Sequence, residues 1–197
     1  MISIKILCFG DSNTYGYDPR SFFGGRYDAA HRWVDLLAET SGWETVNAGA
    51  NGREIPRTEG EAARFAQSLS GAAMPDLLLV MLGANDLLQG ADVRTAAGRM
   101  EAFLKRVPLP EERVVLIAPP PMEPGAWVTE ARLLTDSRQL TSAYAALAAK
   151  LGIHFLDAGS WDIGLTFDGV HFTEAGHAVF AKELRQALEQ KFPKSIH

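Results

Sequence analysis

Apolar residues cluster into short runs along the chain, at residues 2–9, 43–47, 76–82, 113–118 and 153–156. The run "DLLLVML" at 76–82 is the strongest and the one at 43–47 the weakest. Several are apolar at nearly every position, as strands covered on both faces must be. Between them the apolar positions change to helical spacing. Trp33, Leu36 and Leu37 share one face of residues 29–39, and Val93, Ala96, Met100, Phe103 and Leu104 share one face of residues 93–107. Residues 137–151 are Ala-rich, and Val179, Phe180, Leu184 and Leu188 line one side of residues 173–191. Strand and helix alternating in this way predict an α/β sandwich built on a parallel sheet. No internal repeat, low-complexity tract or linker interrupts the pattern, so residues 1–197 are expected to form a single domain. Residues 119–135 follow neither period and open on three prolines. Loops of that length in a compact domain are functional or disordered. Met122, Trp127 and Val128 are too apolar for a solvated linker, so this one is expected to fold back over another part of the molecule.

Composition then narrows the class. A chain of 197 residues, 47% hydrophobic and 22% charged, can bury a core without disulfides or a structural metal. A net charge of −5 argues against nucleic acid or an anionic membrane as main partner. Cys8 is the single cysteine, which excludes an internal disulfide and a Cys-rich zinc site, and its apolar surroundings predict a buried, inert thiol. No pair of histidines has metal-ligand spacing beside a carboxylate, so neither a catalytic metal nor another cofactor is expected. Residues 2–9 are too short and polar for a signal peptide, and no run approaches the ~20 residues of a membrane span. The expectation is a cytoplasmic enzyme or binding domain acting on a small molecule.

Ligands of parallel α/β sheets bind beyond the carboxyl ends of the strands. Four expected exits carry glycine with small polar side chains: "GDSN" at 10–13, "NAGANG" at 47–52, "GAND" at 83–86 and, before the last helix, "DGVH" at 168–171. Together they hold the parts of an acyl-transfer site. Ser12 is the candidate nucleophile and needs a base to take its proton. His171 is the candidate base, and Asp168, three residues earlier across Gly169, is placed to hold its tautomer. The Ser12 N–H, the Gly52 N–H and the Asn85 side-chain amide are the candidate oxyanion donors.

These four ordered blocks resemble the SGNH hydrolase superfamily, the GDSL esterases, over nearly the whole chain. "RW" at 32–33, "APPP" at 118–121, "DAGS" at 157–160 and "HFTEAGH" at 171–177 are similar to its short arylesterase and acyltransferase branch. The resemblance implies a flavodoxin-like fold, a three-layer α/β/α sandwich around a central, mostly parallel five-stranded sheet. It assigns the nucleophile to Ser12, the oxyanion glycine and asparagine to Gly52 and Asn85, and the acid and base to Asp168 and His171. It also raises acyl transfer and homo-oligomerisation. The first block departs from the family in reading Asn13 where leucine is usual, and in the second block Gly49 competes with Gly52.

The expected activity is hydrolysis of short acyl esters through an acyl-enzyme, with rates falling on the acid side of the His171 titration. A carbohydrate O-acetyl esterase is the alternative within enzymes, and an inactive ligand-binding α/β module is the alternative outside them. Asn13, Tyr15, Tyr17, Met122, Trp127 and Val170 are the candidate substrate contacts; Tyr15 and Tyr17 read equally as core, and Asn13 as a turn residue. Asp28 and His31 repeat the Asp-x-x-His spacing, but Asp28 is expected to cap a helix and His31 to face solvent or the loop. Glu174 and His177 are expected to be surface or capping groups, and His154 a structural histidine in a strand.

Overall fold

The structure, a computed structural model, describes residues 4–21 and 25–193. In chain order the regular elements are β1 (Lys5–Gly10), α1 (Ser12–Tyr15), α2 (Trp33–Ser41), β2 (Glu44–Gly49), α3 (Glu59–Ser68), β3 (Leu77–Met81), α4 (Ala84–Leu88), α5 (Val93–Leu104), β4 (Val114–Ala118), α6 (Ala131–Leu151), β5 (His154–Asp157) and α7 (Glu174–Lys191). Each of the five apolar runs overlaps a strand, with residues 2 and 3 of the first run lying outside the described residues. All neighbouring strands pair in parallel, in the order β2-β1-β3-β4-β5.

Strand alternation explains the two cores. Phe9, Leu78, Val80, Leu116 and Ala118 face one side and pack with Met100, Phe103, Leu140 and Tyr144 from α5 and α6. Ile6, Cys8, Leu79, Met81, Val115 and Ile117 face the other and pack with Trp33 and Leu37 of α2 and Phe180 and Leu184 of α7. A central strand with both faces covered needs an unbroken apolar run, and all five residues of β3 are buried. The result is the expected three-layer sandwich. Cys8 is fully buried, and burial pushes its thiol well above the usual range, so it stays a neutral packing group.

Some boundaries differ from the sequence reading. The helix expected over residues 29–39 starts at Trp33, because residues 29–31 form a tighter 3₁₀ turn and Arg32 is extended. Asp28 makes no cap; its carboxylate meets His31 Nδ1 at 2.7 Å. The helix expected from residue 137 begins at Ala131, which shortens the preceding loop to residues 119–130. Helix α3 was not expected from apolar spacing, since only Ala62 is buried on it. Its signal lies at its start, where Thr58 and Glu61 form a reciprocal capping box. His177 is fully buried rather than on the surface, ringed by Tyr27 and Phe172. Burial and the nearby His171 charge lower its pKa to about 3, so it is neutral.

The strand order reverses direction between β1 and β3, which opens the crevice where open parallel sheets bind ligands. Three of the four glycine-containing blocks leave the sheet there, after β1, β2 and β3.

Candidate active site

Ser12 is the first residue of α1, immediately past β1. Asp11 caps this single turn by accepting the Asn13 N–H at 3.0 Å. Gly10 is needed at the bend, because a Cβ there would lie 2.9 Å from the Met81 carbonyl oxygen and closer still to Thr14. Ser12 Oγ lies 2.9 Å from His171 Nε2, although 159 residues separate them. His171 Nδ1 lies 2.7 Å from Asp168 Oδ2. The other carboxylate oxygen of Asp168 accepts the backbone N–H groups of Val170 and His171, both at 2.9 Å. Both side chains are almost completely shielded from solvent.

Burial alone would raise the Asp168 pKa. The hydrogen bonds from the His171 ring and from the two backbone N–H groups outweigh it and hold the carboxyl down at about 2. An ionised carboxylate on Nδ1 keeps the ring proton there and leaves the Nε2 lone pair facing the serine hydroxyl. Such an arrangement can accept a proton from the hydroxyl as a nucleophile forms.

The Asp-x-x-His turn is braced from outside by the loop of residues 119–130. Glu123 N–H, Ala126 N–H and Trp127 N–H donate to the carbonyls of Gly169, Phe167 and Asp168. Gly169 adopts φ +80, and a Cβ on it would fall 2.1 Å from the Glu123 carbonyl oxygen. The same loop carries Trp127 to the site, with its ring edge-on to His171 at 4.8 Å between centroids and still 49% exposed. Tyr17 is also 4.8 Å from the His171 ring. Phe167, which the sequence reading did not single out, is 65% exposed beside Asp168.

The other candidate contacts are placed differently. Met122 and Val170 are buried in the α5–α6 side of the core, and the Met122 N–H donates to Ser137 Oγ. Tyr15 stacks under the Arg26 guanidinium. Asn13 is only 5% exposed, and its amide is directed into the turn that carries His171. The pair Asp28–His31 makes the same acid–imidazole contact as Asp168–His171, but both side chains are open to solvent and Glu174 stands nearby in place of a serine.

The second and third blocks interlock. Asn85 Nδ2 donates to the Arg53 carbonyl at 3.1 Å and lies 3.5 Å from Asp11 Oδ2. Asp86, fully buried, accepts the Ile55 N–H and the Arg99 guanidinium, which ties the loop after β2 to α4. Arg53 crosses the strand ends, donating to the carbonyls of Gly10 and Ala48 and lying over the Phe9 ring. The two competing glycines have different surroundings. Gly49 donates its N–H to Asn47 Oδ1, and a Cβ on it would collide with α1 at 2.1 Å, so it is a packing glycine. Gly52 stands in open space at φ +68, a conformation that suits glycine and leaves the peptide approachable.

Asp11 is a further buried carboxyl here. Burial raises its pKa to about 6, against the opposing pull of the Asn13 N–H and the charges of His171 and Arg53. A carboxyl raised in the folded state loses stabilisation as pH climbs from the unfolded value near 4 through 6. Asp11→Asn is therefore expected to raise the melting temperature relative to wild type more at pH 8 than at pH 4.5. The difference corresponds to roughly 2 kcal/mol. Thermal melts of both proteins across that range test it; an equal offset at every pH refutes it.

Known proteins share this fold and much of this sequence pattern. The chain is 26% identical to an aryl esterase of M. smegmatis whose structure superposes with a TM-score of 0.82, covering 95% of this chain and 99% of that one. A carbohydrate acetylesterase family member from Sinorhizobium meliloti also superposes with a TM-score of 0.82 at 26% identity, covering 96% and 99%. An isoamyl acetate-hydrolyzing esterase 1 homolog of Bos taurus is 25% identical over 95% of this chain and 82% of its own length. The model of the GDSL-like lipase/acylhydrolase family matches residues 8–179. With that match spanning all four blocks, the chain belongs to the GDSL-like lipase/acylhydrolase family, of SGNH type, and is an esterase or acylhydrolase.

Proposed function

We propose that the protein hydrolyses short-chain acyl esters, acetyl esters above all, through an acyl-enzyme on Ser12. The observation that carries this reading is the continuous chain from Ser12 Oγ to His171 Nε2 and from His171 Nδ1 to Asp168, at 2.9 and 2.7 Å. Ser12 Oγ attacks the ester carbonyl carbon while His171 Nε2 takes the hydroxyl proton. The carbonyl electron pair moves onto oxygen and is received by the N–H groups of Ser12 and Gly52 and the Asn85 amide. Collapse breaks the bond to the alcohol, which leaves with the proton from His171. Water then repeats the sequence on the acyl-enzyme and releases the acid; an alcohol in its place gives acyl transfer.

A fluorophosphonate probe tests this directly. Labelling is expected to add one probe mass to Ser12. An unlabelled, folded protein would instead support the ligand-binding module.

The exposed rings of Trp127 and Phe167 support a leaving alcohol that carries a ring. Their flat faces can stack on an arene or on a sugar, and the similar structures include both an aryl esterase and a carbohydrate acetylesterase. Assaying phenyl acetate beside acetylated sugars separates the two. Trp127→Ala is expected to raise KM for the preferred ring-bearing ester about 5–10-fold while changing KM for ethyl acetate less than twofold. Equal effects on both esters would remove Trp127 from the leaving-group site.

A further inference from the structure

Ser12 and His171 sit on opposite parts of the sheet. Ser12 follows β1, whereas His171 belongs to the segment leaving β5, and both β3 and β4 lie between those strands. At about 4.8 Å per strand spacing, the sheet anchors them roughly 14 Å apart. Contact at 2.9 Å must therefore be held locally, at the ends of the two loops.

Asn13 provides that hold. Its Nδ2 donates to the Val170 carbonyl at 3.0 Å, and its Oδ1 accepts the Phe172 N–H at 2.9 Å. These are the peptide groups on either side of His171, so one carboxamide brackets the imidazole from the residue next to Ser12. Its own carbonyl accepts the Trp33 indole N–H at 3.0 Å, which fixes the clamp to the buried start of α2. A carboxamide presents a donor and an acceptor together; leucine offers neither, and an ionised aspartate offers no donor.

We infer that Asn13 is the positioning residue that sets the Ser12–His171 distance, acting on the rate of chemistry and not on substrate binding. The inference rests on the proposed esterase reading. Loss of the clamp leaves two buried peptide groups unpaired and lets the base turn shift. A displacement near 1 Å at reacting groups costs about 100-fold in rate.

The test compares wild type with Asn13→Leu and the near-isosteric Asn13→Asp on p-nitrophenyl acetate, with fluorophosphonate labelling and the downfield proton resonance of His171 Nδ1–H. Asn13→Leu is expected to lower kcat about 30–100-fold with KM within twofold, to slow labelling in parallel and to move or broaden that resonance. Asn13→Asp is expected to lower kcat with KM held, and it carries the test if the leucine variant does not fold. A kcat within threefold of wild type in the folded variants, or a raised KM with kcat kept, overturns the inference. An unlabelled wild type overturns the esterase reading instead, and the resonance then still reports whether Asn13 holds the His171 turn.

Discussion

Replacing Ser12 with alanine is expected to lower kcat/KM for p-nitrophenyl acetate by about ten-thousand- to a million-fold. The substitution deletes one oxygen from a side chain that is 6% exposed and leaves the cap of α1 intact, since Asp11 still accepts the Asn13 N–H. The fold has no reason to change, so near-wild-type thermal stability should accompany the loss. If the proposed oxyanion donors act as assigned, a residual rate above water is expected. The same variant should take up no fluorophosphonate. A Ser12→Ala protein with turnover within tenfold of wild type would eliminate the acyl-enzyme.

Asp168→Asn is expected to reduce kcat about ten-thousand-fold, with KM little altered. An amide at position 168 can donate to Nδ1. That moves the ring proton to Nε2, which then cannot accept the Ser12 hydroxyl proton. The second consequence concerns stability. The Asp168 carboxyl lies at about 2 in the folded protein against 3.8 ordinarily, so its contribution is complete above pH 4 and lost as pH falls through 2. It is worth on the order of 2 kcal/mol. Thermal melts between pH 5 and pH 2 should therefore show wild type losing stability more steeply than Asp168→Asn. Parallel curves would mean that folding does not depress the Asp168 pKa. The opposite sign expected for Asp11, whose stabilisation fades as pH rises, makes the two carboxyls separable in the same experiment.

The elements that were legible in the sequence are those whose local pattern is dictated by burial. β3 and β4 read clearly because both of their faces are covered, so every position is apolar. The starts of α2 and α6 were less legible. Residues 29–31 and 131–136 have compatible local propensities, and packing against neighbours decides where the regular helix begins. His177 was misplaced for a related reason: its helix presents it to the Tyr27–Phe172 pocket, and nothing beside it in the chain announces that pocket.

The sequence by itself determined the layer pattern and the chemical parts of the candidate site: a serine past the first strand, glycines and an asparagine past the next two, an Asp-x-x-His turn before the last helix. Spacing could nominate those parts because each lies within a few residues of an element boundary, where local rules apply. Tertiary structure alone decided which parts meet. The pairs Asp28–His31 and Asp168–His171 share spacing and acid–imidazole contact, and only the sheet order brings the second to Ser12. It also gave Gly49 and Gly52 different surroundings, packing the first against α1 and leaving the second open. For Asn13, the residue that departs from the usual leucine, it placed the carboxamide against the two peptides that flank His171. Contacts across 159 residues depend on how strands are ordered, and no short stretch of chain encodes that order on its own.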